Sequence, residues 1–202
     1  MNLPSRWVLA TANGSKVAEL QTLLTESGLG LTLLAQSELG VVSAAETGTT
    51  FVENALSKAR HAARTTGLPA IADDSGLAVT ALGGAPGVRS ARYAGPHAAD
   101  EANVTKVLAA LKAIPNVDRS ARFHCVLVAL VHADDPAPLI ATGEWSGEIA
   151  TAPRGANGFG YDPVFFDPRL SRTAAELAVA EKNAVSHRGA ALRRLAELLQ
   201  KR

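Results

Sequence analysis

The sequence predicts an α/β fold, a mixed sheet flanked by helices, and three observations predict it. Short apolar runs of strand length, such as "WVLAT" and "AIAD", alternate with longer stretches of helical period. The runs "RFHCVLVALVH" and "LIATGEWSGEIA" are separated by the turn-forming "DDPAP", a hairpin signal. The chain of 202 residues is 47% hydrophobic and 19% charged, a balance that builds a core and excludes a disordered chain. No linker-like stretch divides it, so residues 1–202 read as a single domain.

Trp7 to Thr11 read as a buried strand running straight into "ANGSK". From Ser15 onward Val17, Leu20, Leu23 and Leu24 share one helical face, with Gly28 as the stop. "LTLLAQ" is a second strand. Thr50 precedes Glu53 by three residues, a capping box, and opens a helix to about Thr66 that Gly67 ends. Its apolar side is Phe51, Ala55, Ala59 and Ala62, and its polar side is Asn54, Lys58 and His61. "AIAD" is the next strand, with Asp73 and Asp74 marking its end ahead of a glycine-rich loop. Val104, Val107, Leu108 and Leu111 predict a helix closed by Pro115. After the hairpin, Pro and Gly dominate from Pro153 to Pro168, which predicts a stretch that is largely loop. Thr173 with Glu176 forms a second capping box and Lys182 falls in a loop. Ser186 then opens an amphipathic helix bearing Leu192, Leu195, Leu198 and Leu199.

The formal net charge of +1 excludes wholesale attraction to a nucleic acid polymer or an anionic membrane. Any anionic ligand must therefore find a local cluster of basic residues. Cys125 is the sole cysteine, which rules out an internal disulfide and a Cys-rich zinc site and favours a reducing, cytoplasmic compartment. No stretch approaches the about 20 apolar residues that span a bilayer, and the amino-terminal segment lacks a secretory pattern.

Four groups of polar residues exceed what a fold needs. In "TANGSK" a strand meets a helix through small residues, which offers backbone N–H groups to an anion, and Lys16 opposes the helix dipole. The adjacent Asp73 and Asp74, with Glu46 upstream, place like charges where something positive is expected: a metal ion, a neighbouring Lys or Arg, or bulk water. Alternation along a strand sends the two aspartates to opposite faces. "EKNAVSHRGAAL" puts His187 and Arg188 in the first turn of the last helix, again against the dipole, with Lys182 just before. In "GANGFGYDPVFF" glycines surround Phe159 and Tyr161, so a flat ligand can approach the backbone and stack, or the aromatics can plug the core edge.

Taken together, "LATANGSK", "ETGTTFVENALSKAR", "AIADDSGLAVTALGGAPGVRSARYAG", "GFGYDPVF" and "EKNAVSHRGAAL" resemble one family from about Val8 to Leu198. It is the non-canonical purine nucleoside triphosphate pyrophosphatases, also called inosine triphosphatases or dITP/XTP diphosphatases, the HAM1-like family. The resemblance implies an elongated mixed sheet with two lobes around a central cleft, a homodimer, and Mg²⁺ as cofactor. It implies hydrolysis of ITP, dITP and XTP to the nucleoside monophosphate and pyrophosphate, which cleanses the nucleotide pool. On this reading Thr11, Ala12, Asn13, Gly14, Ser15 and Lys16 cradle the triphosphate. Glu46 and Asp74 hold Mg²⁺, and Asp74 also orients or deprotonates water. Lys58 adds positive charge, and Ser75 contacts the substrate beside the metal. Phe159, Gly160, Tyr161, Asp162, Lys182, His187 and Arg188 select the base, with Tyr161 giving a flat stacking surface. Ala12 departs from the glycine of many members but keeps a small residue.

Three rivals remain. A phosphatase of the haloacid dehalogenase kind needs a D-x-D pair, which "DDSG" lacks. A non-catalytic nucleotide- or RNA-binding module would not need Glu46 with Asp74. A Maf-type pyrophosphatase acting on other nucleotides would not need the "SHRG" and "GFGYDP" blocks.

Overall fold

Seven strands join in one mixed sheet in the order β2-β1-β3-β4-β5-β6-β7. The computed structural model describes residues 4–11, 13–28 and 30–202. The strands are β1 (Arg6–Leu9), β2 (Thr32–Ala35), β3 (Ala70–Val79), β4 (Ser120–Leu130), β5 (Leu139–Ile149), β6 (Phe165–Asp167) and β7 (Arg172–Thr173). The helices are α1 (Gly14–Glu26), α2 (Phe51–Thr66), α3 (Asp100–Lys112), α4 (Val179–Val185) and α5 (His187–Gln200). β1 runs parallel to β2 and β3, with Val8 opposite Ala70, whereas β5–β6 and β6–β7 are antiparallel. The expected mixed α/β sheet is therefore present. No helix among the described residues is long and apolar enough to cross a membrane.

The chain forms two compact units, each built from segments distant in sequence. The first comprises Met1–Asp74, Cys125–Gly143 and His187–Arg202. Strand alternation divides its apolar residues between the two sheet faces. Trp7, Leu9, Ile71, Cys125 and Leu127 pack with Leu20 and Leu24 of α1 and Leu192 and Leu195 of α5. Val8, Ala70, Ala72, Val126 and Val128 pack with Ala55, Ala59 and Ala62 of α2. Each large side chain so buried contributes about 1.5–3 kcal/mol. The small stripe on α2 brings its backbone close to the sheet, and its neighbouring polar face is then carried close as well.

α2 begins as expected. Thr50 Oγ1 accepts from the Glu53 amide at 3.2 Å, and Glu53 Oε2 accepts from the Thr50 amide at 2.9 Å. Gly67, with φ 71°, closes it.

The second unit comprises Ser75–His124 and Glu144–Ser186. Its core joins Leu77 and Val79 to Val104, Val107 and Leu111 of α3 and to Trp145, Tyr161 and Phe165. Phe123 and Phe165 lie with ring centroids 4.4 Å apart, and Trp145 donates its indole N–H to Asp167 at 2.7 Å.

The stretch from Pro153 to Pro168 is largely loop, as expected, and contains the short β6, whose Phe165 and Asp167 are buried. Two local expectations are corrected. β3 does not stop at the aspartates but continues to Val79. Lys182 lies in α4 and not in a loop. There Glu181 Oε2 accepts from the Ala178 amide at 2.9 Å, a local cap that stabilises a seven-residue helix.

Candidate active site

The two aspartates sit mid-strand because each finds its partners on the face to which alternation sends it. Asp73 shares the parity of Ile71 and points toward α1 and α5, while Asp74 shares that of Ala70 and Ala72 and points toward α2.

On the α1/α5 side, Lys16 Nζ lies 2.9 Å from Asp73 Oδ1, and Arg188 Nε lies 3.7 Å from Asp73 Oδ2. Arg188 also pairs with Glu19 through Nη1. Lys16 is delivered by the start of α1, where Asn13 is the N-cap and accepts from the Lys16 amide at 3.2 Å. Thr11 Oγ1 accepts in turn from the Asn13 amide at 3.2 Å. The result is a buried chain of alternating charge, Lys16–Asp73–Arg188–Glu19. Burial alone would raise the Asp73 pKa, but Lys16 and Arg188 outweigh it and hold the carboxyl well below the usual range. Burial likewise opposes the Arg188 charge, and Asp73 with Glu19 overcomes it. The nearby Cys125 thiol is pushed up to about 12 by burial and by Asp73, so it is an inert core residue.

On the α2 side, Lys58 Nζ meets Asp74 Oδ1 at 2.9 Å and Glu46 Oε1 at 3.0 Å. Asn54, one turn earlier on α2, donates to Asp74 Oδ2 at 3.2 Å. Asn54 Oδ1 accepts from the Gly48 amide at 2.8 Å, and a Cβ at Gly48 would lie 2.8 Å from that same oxygen. His61 Nε2 is 2.8 Å from the Val42 carbonyl. The polar face of α2 thus fixes the segment that carries Glu46 at two points. Burial raises the Asp74 pKa, Lys58 only partly offsets it, and the Glu46 charge adds to the rise. Burial works against the Lys58 charge, yet Asp73, Asp74 and Glu46 together lift its pKa. Two carboxylates thus converge on one ammonium.

The second unit gathers another group. Asp162, buried, accepts from the Lys182 ammonium at 2.8 Å and from the Phe159 amide at 2.9 Å, both through Oδ2. Lys182 Nζ lies 5.0 Å from the centre of the Phe159 ring. Gly158 has φ 78°, and a Cβ there would lie 2.1 Å from Asp162 Oδ2, so glycine is required. Asp100, in the first turn of α3, accepts from the Gly160 amide at 2.6 Å. Tyr161 differs from the expected stacking surface: its ring is in the core and its hydroxyl donates to the Ser90 carbonyl at 2.8 Å. Phe159, half-buried, is the open aromatic of this loop.

Of the expected site residues, Thr11, Asn13, Gly14, Lys16, Glu46, Lys58, Asp74, His187 and Arg188 therefore lie in the first unit. Ser75, Phe159, Gly160, Tyr161, Asp162 and Lys182 lie in the second. Ala12 and the side chain of Ser15 lie outside what is described. Glu19 and Asp100 carried no expectation. The signal for Glu19 is its place three residues after Lys16 on one helical face.

The chain matches the Ham1 family over residues 7–198. The dITP/XTP pyrophosphatase of Yersinia pseudotuberculosis is 62% identical over 193 residues, 96% of this chain and 97% of that protein. That of Escherichia coli strain K12 is 58% identical over the same shares, 96% and 97%. Among solved structures, a HAM1 protein from Coxiella burnetii superposes with a TM-score of 0.91 at 55% identity, covering 98% of this chain and 100% of that one. The Staphylococcus aureus Ham1 protein gives 0.84 at 39% identity, covering 97% and 98%.

Proposed function

The chain belongs to the Ham1 family, and on that premise we propose that it hydrolyses dITP, XTP and ITP to the nucleoside monophosphate and pyrophosphate. This activity removes such nucleotides from the pool. The observation that carries the reading is the meeting of Glu46 and Asp74 on the single Lys58 ammonium.

Two hard carboxylates facing one cation form a donor set suited to Mg²⁺, which takes one or two protein carboxylates and completes its shell with water and phosphate oxygens. No three His, Cys, Asp or Glu side chains among the described residues converge as a fuller cage. Glu46 and Asp74 would hold the ion, which when bound neutralises charge on the phosphoryl oxygens.

The chain's own residues do the rest. Asp74, its pKa raised by burial, is a better proton acceptor than a surface aspartate and takes the proton of the attacking water. Water adds across the α–β phosphoanhydride as the bridging bond breaks, and pyrophosphate leaves with the bridging oxygen's electron pair. Lys58 stabilises the charge that develops on the phosphoryl oxygens. The Thr11–Lys16 turn, including Ala12, Asn13, Gly14 and Ser15, binds the polyphosphate through amides and the Lys16 ammonium. Ser75 contacts the substrate beside the metal.

The base falls to Phe159 and Gly160, with the Lys182 ammonium beside the Phe159 ring as a donor. Hypoxanthine and xanthine present a 6-keto acceptor where adenine presents an amino donor, and such a mismatch rejects by roughly 10⁴-fold. Asp162 and Tyr161 shape this loop from behind. The protein works as a homodimer in the cytoplasm, and its solution mass checks the first half of that statement.

The test is to supply ITP, dITP, XTP, GTP, ATP and dTTP with Mg²⁺ and identify the products. Monophosphate with pyrophosphate from the first three supports the assignment. Orthophosphate release, or equal turnover of ATP, overturns it.

A further inference from the structure

The loop from Gly158 to Asp162 is fixed at its end by the buried Tyr161 and Asp162, and its Phe159–Gly160 part is the less packed. A cavity of about 880 Å³ runs along it, lined by Val104 and Leu108 of α3, by Pro153 and Ala156, and by Phe159 and Gly160 themselves. On that side the loop faces open volume and not packed side chains, so hydrogen bonds must supply the order that packing does not. Two carboxylates supply it to consecutive amides. Asp162 Oδ2 accepts from Phe159, a contact within the loop. Asp100 Oδ2 accepts from Gly160 and reaches in from 60 residues away, anchored on α3.

We propose that Asp100 is a positioning residue for the substrate. By fixing the Gly160 amide it fixes the backbone from which the Phe159 ring is presented to the base. This rests on the reading of that loop as the base-binding element. Asp100 itself borders the cavity, as does Glu101, and the role assigned to Asp100 is to act on the nucleotide through the loop backbone.

A second role must be separated from this one. Asp100 and Glu101 both stand in the first turn of α3, where a carboxylate complements the helix dipole. Glu101→Ala removes a dipole contribution and leaves the Asp100–Gly160 bond in place. Asp100→Asn removes the charge and keeps an oxygen able to accept from Gly160. Asp100→Ala removes both. Asp100 is exposed, so none of these changes opens the core.

The experiment measures steady-state kinetics on dITP, together with hydrogen exchange at the Gly160 amide, for the parent chain and the three variants. Asp100→Ala should raise KM about three- to tenfold with kcat within about twofold, and should speed Gly160 exchange by a similar factor. Asp100→Asn and Glu101→Ala should stay within about twofold of the parent in both readouts. The proposal is overturned if Asp100→Ala leaves KM unchanged, whatever happens to exchange, or if Asp100→Asn is as impaired as Asp100→Ala. A parent chain that leaves dITP and XTP intact refutes the assigned activity instead. Exchange at Gly160 then decides by itself whether Asp100 holds the loop.

Discussion

Asp73→Ala should destabilise the protein more than any change on the substrate-facing surface, although Asp73 touches no water. Its side chain is fully buried, and it stands between Lys16 at 2.9 Å and Arg188 at 3.7 Å. Removing one member of a buried ion pair leaves the other charge without compensation, a loss of about 3–5 kcal/mol. Two features place the expected value near the lower end. Arg188 keeps Glu19, and the Lys16 side chain is 15% exposed and can swing its ammonium toward solvent. About 3 kcal/mol is then expected, a large share of the 5–15 kcal/mol that holds a typical domain. For a chain of this size that corresponds to a fall in Tm of roughly 6–12 °C. Urea unfolding should show a lower midpoint with an unchanged slope. A loss below about 1 kcal/mol would refute the reasoning, because Asp73 would then not be compensating buried charge.

Acid supplies an independent check on the same carboxyl. Asp73 is held below its ordinary value of 3.8 by Lys16 and Arg188 against the opposing effect of burial. A depressed folded pKa means the contribution is complete above the unfolded value and is lost as pH falls below it toward the folded value. The parent chain should therefore lose stability more steeply than Asp73→Asn below about pH 4. Equal acid limbs in the two proteins would contradict the assignment.

Two further outcomes concern the chemistry and the loop. Asp74→Asn should lower kcat by about 10²–10⁴-fold while the chain still folds, since Asn keeps an oxygen for Lys58 but cannot take a proton; near-parental turnover would remove Asp74 from its role. Tyr161→Phe should cost about 1 kcal/mol through the lost donation to the Ser90 carbonyl and leave KM for dITP unchanged. A tenfold rise in KM would show that the Tyr161 hydroxyl serves substrate binding and not the core alone.

Much of this architecture is legible in the chain, and the misses share a cause. The α2 capping box, its apolar and polar sides, and the long strands β4 and β5 all follow from contacts or periodicities within a few residues. Asp73–Asp74 looks like the end of a strand because nothing nearby in sequence neutralises it. The neutralising groups come from α1, α2 and α5, and only the folded sheet brings them together. α4 escapes notice because its cap comes from its own Glu181 and its steadying ion pair from Arg172, without an Asn, Asp, Ser or Thr at the N-cap. β6 and β7 are too short to show a period, and they are defined by pairing with β5 and with each other. The candidate residues themselves were readable as chemistry. What could not be read was which of them bind each other, so Tyr161, buried and bonded to Ser90, looked like an open ring.

The strand period also explains why one site needs two aspartates in sequence. A single residue step turns the side chain over, so the same functional group meets two different fields. Toward α1 and α5 lie two cations, which outweigh the burial of Asp73 and lower its pKa. Toward α2 lies one cation shared with a second carboxylate, and burial of Asp74 is left incompletely offset. The first arrangement fixes structure, because a carboxylate with a depressed pKa stays charged near neutral pH and orients Lys16 and Arg188. The second leaves a carboxylate with residual basicity, which is what a proton acceptor requires. Exchanging the two environments would cost both properties at once. For that reason a shift of β3 register by one residue should be more damaging than the loss of either aspartate alone.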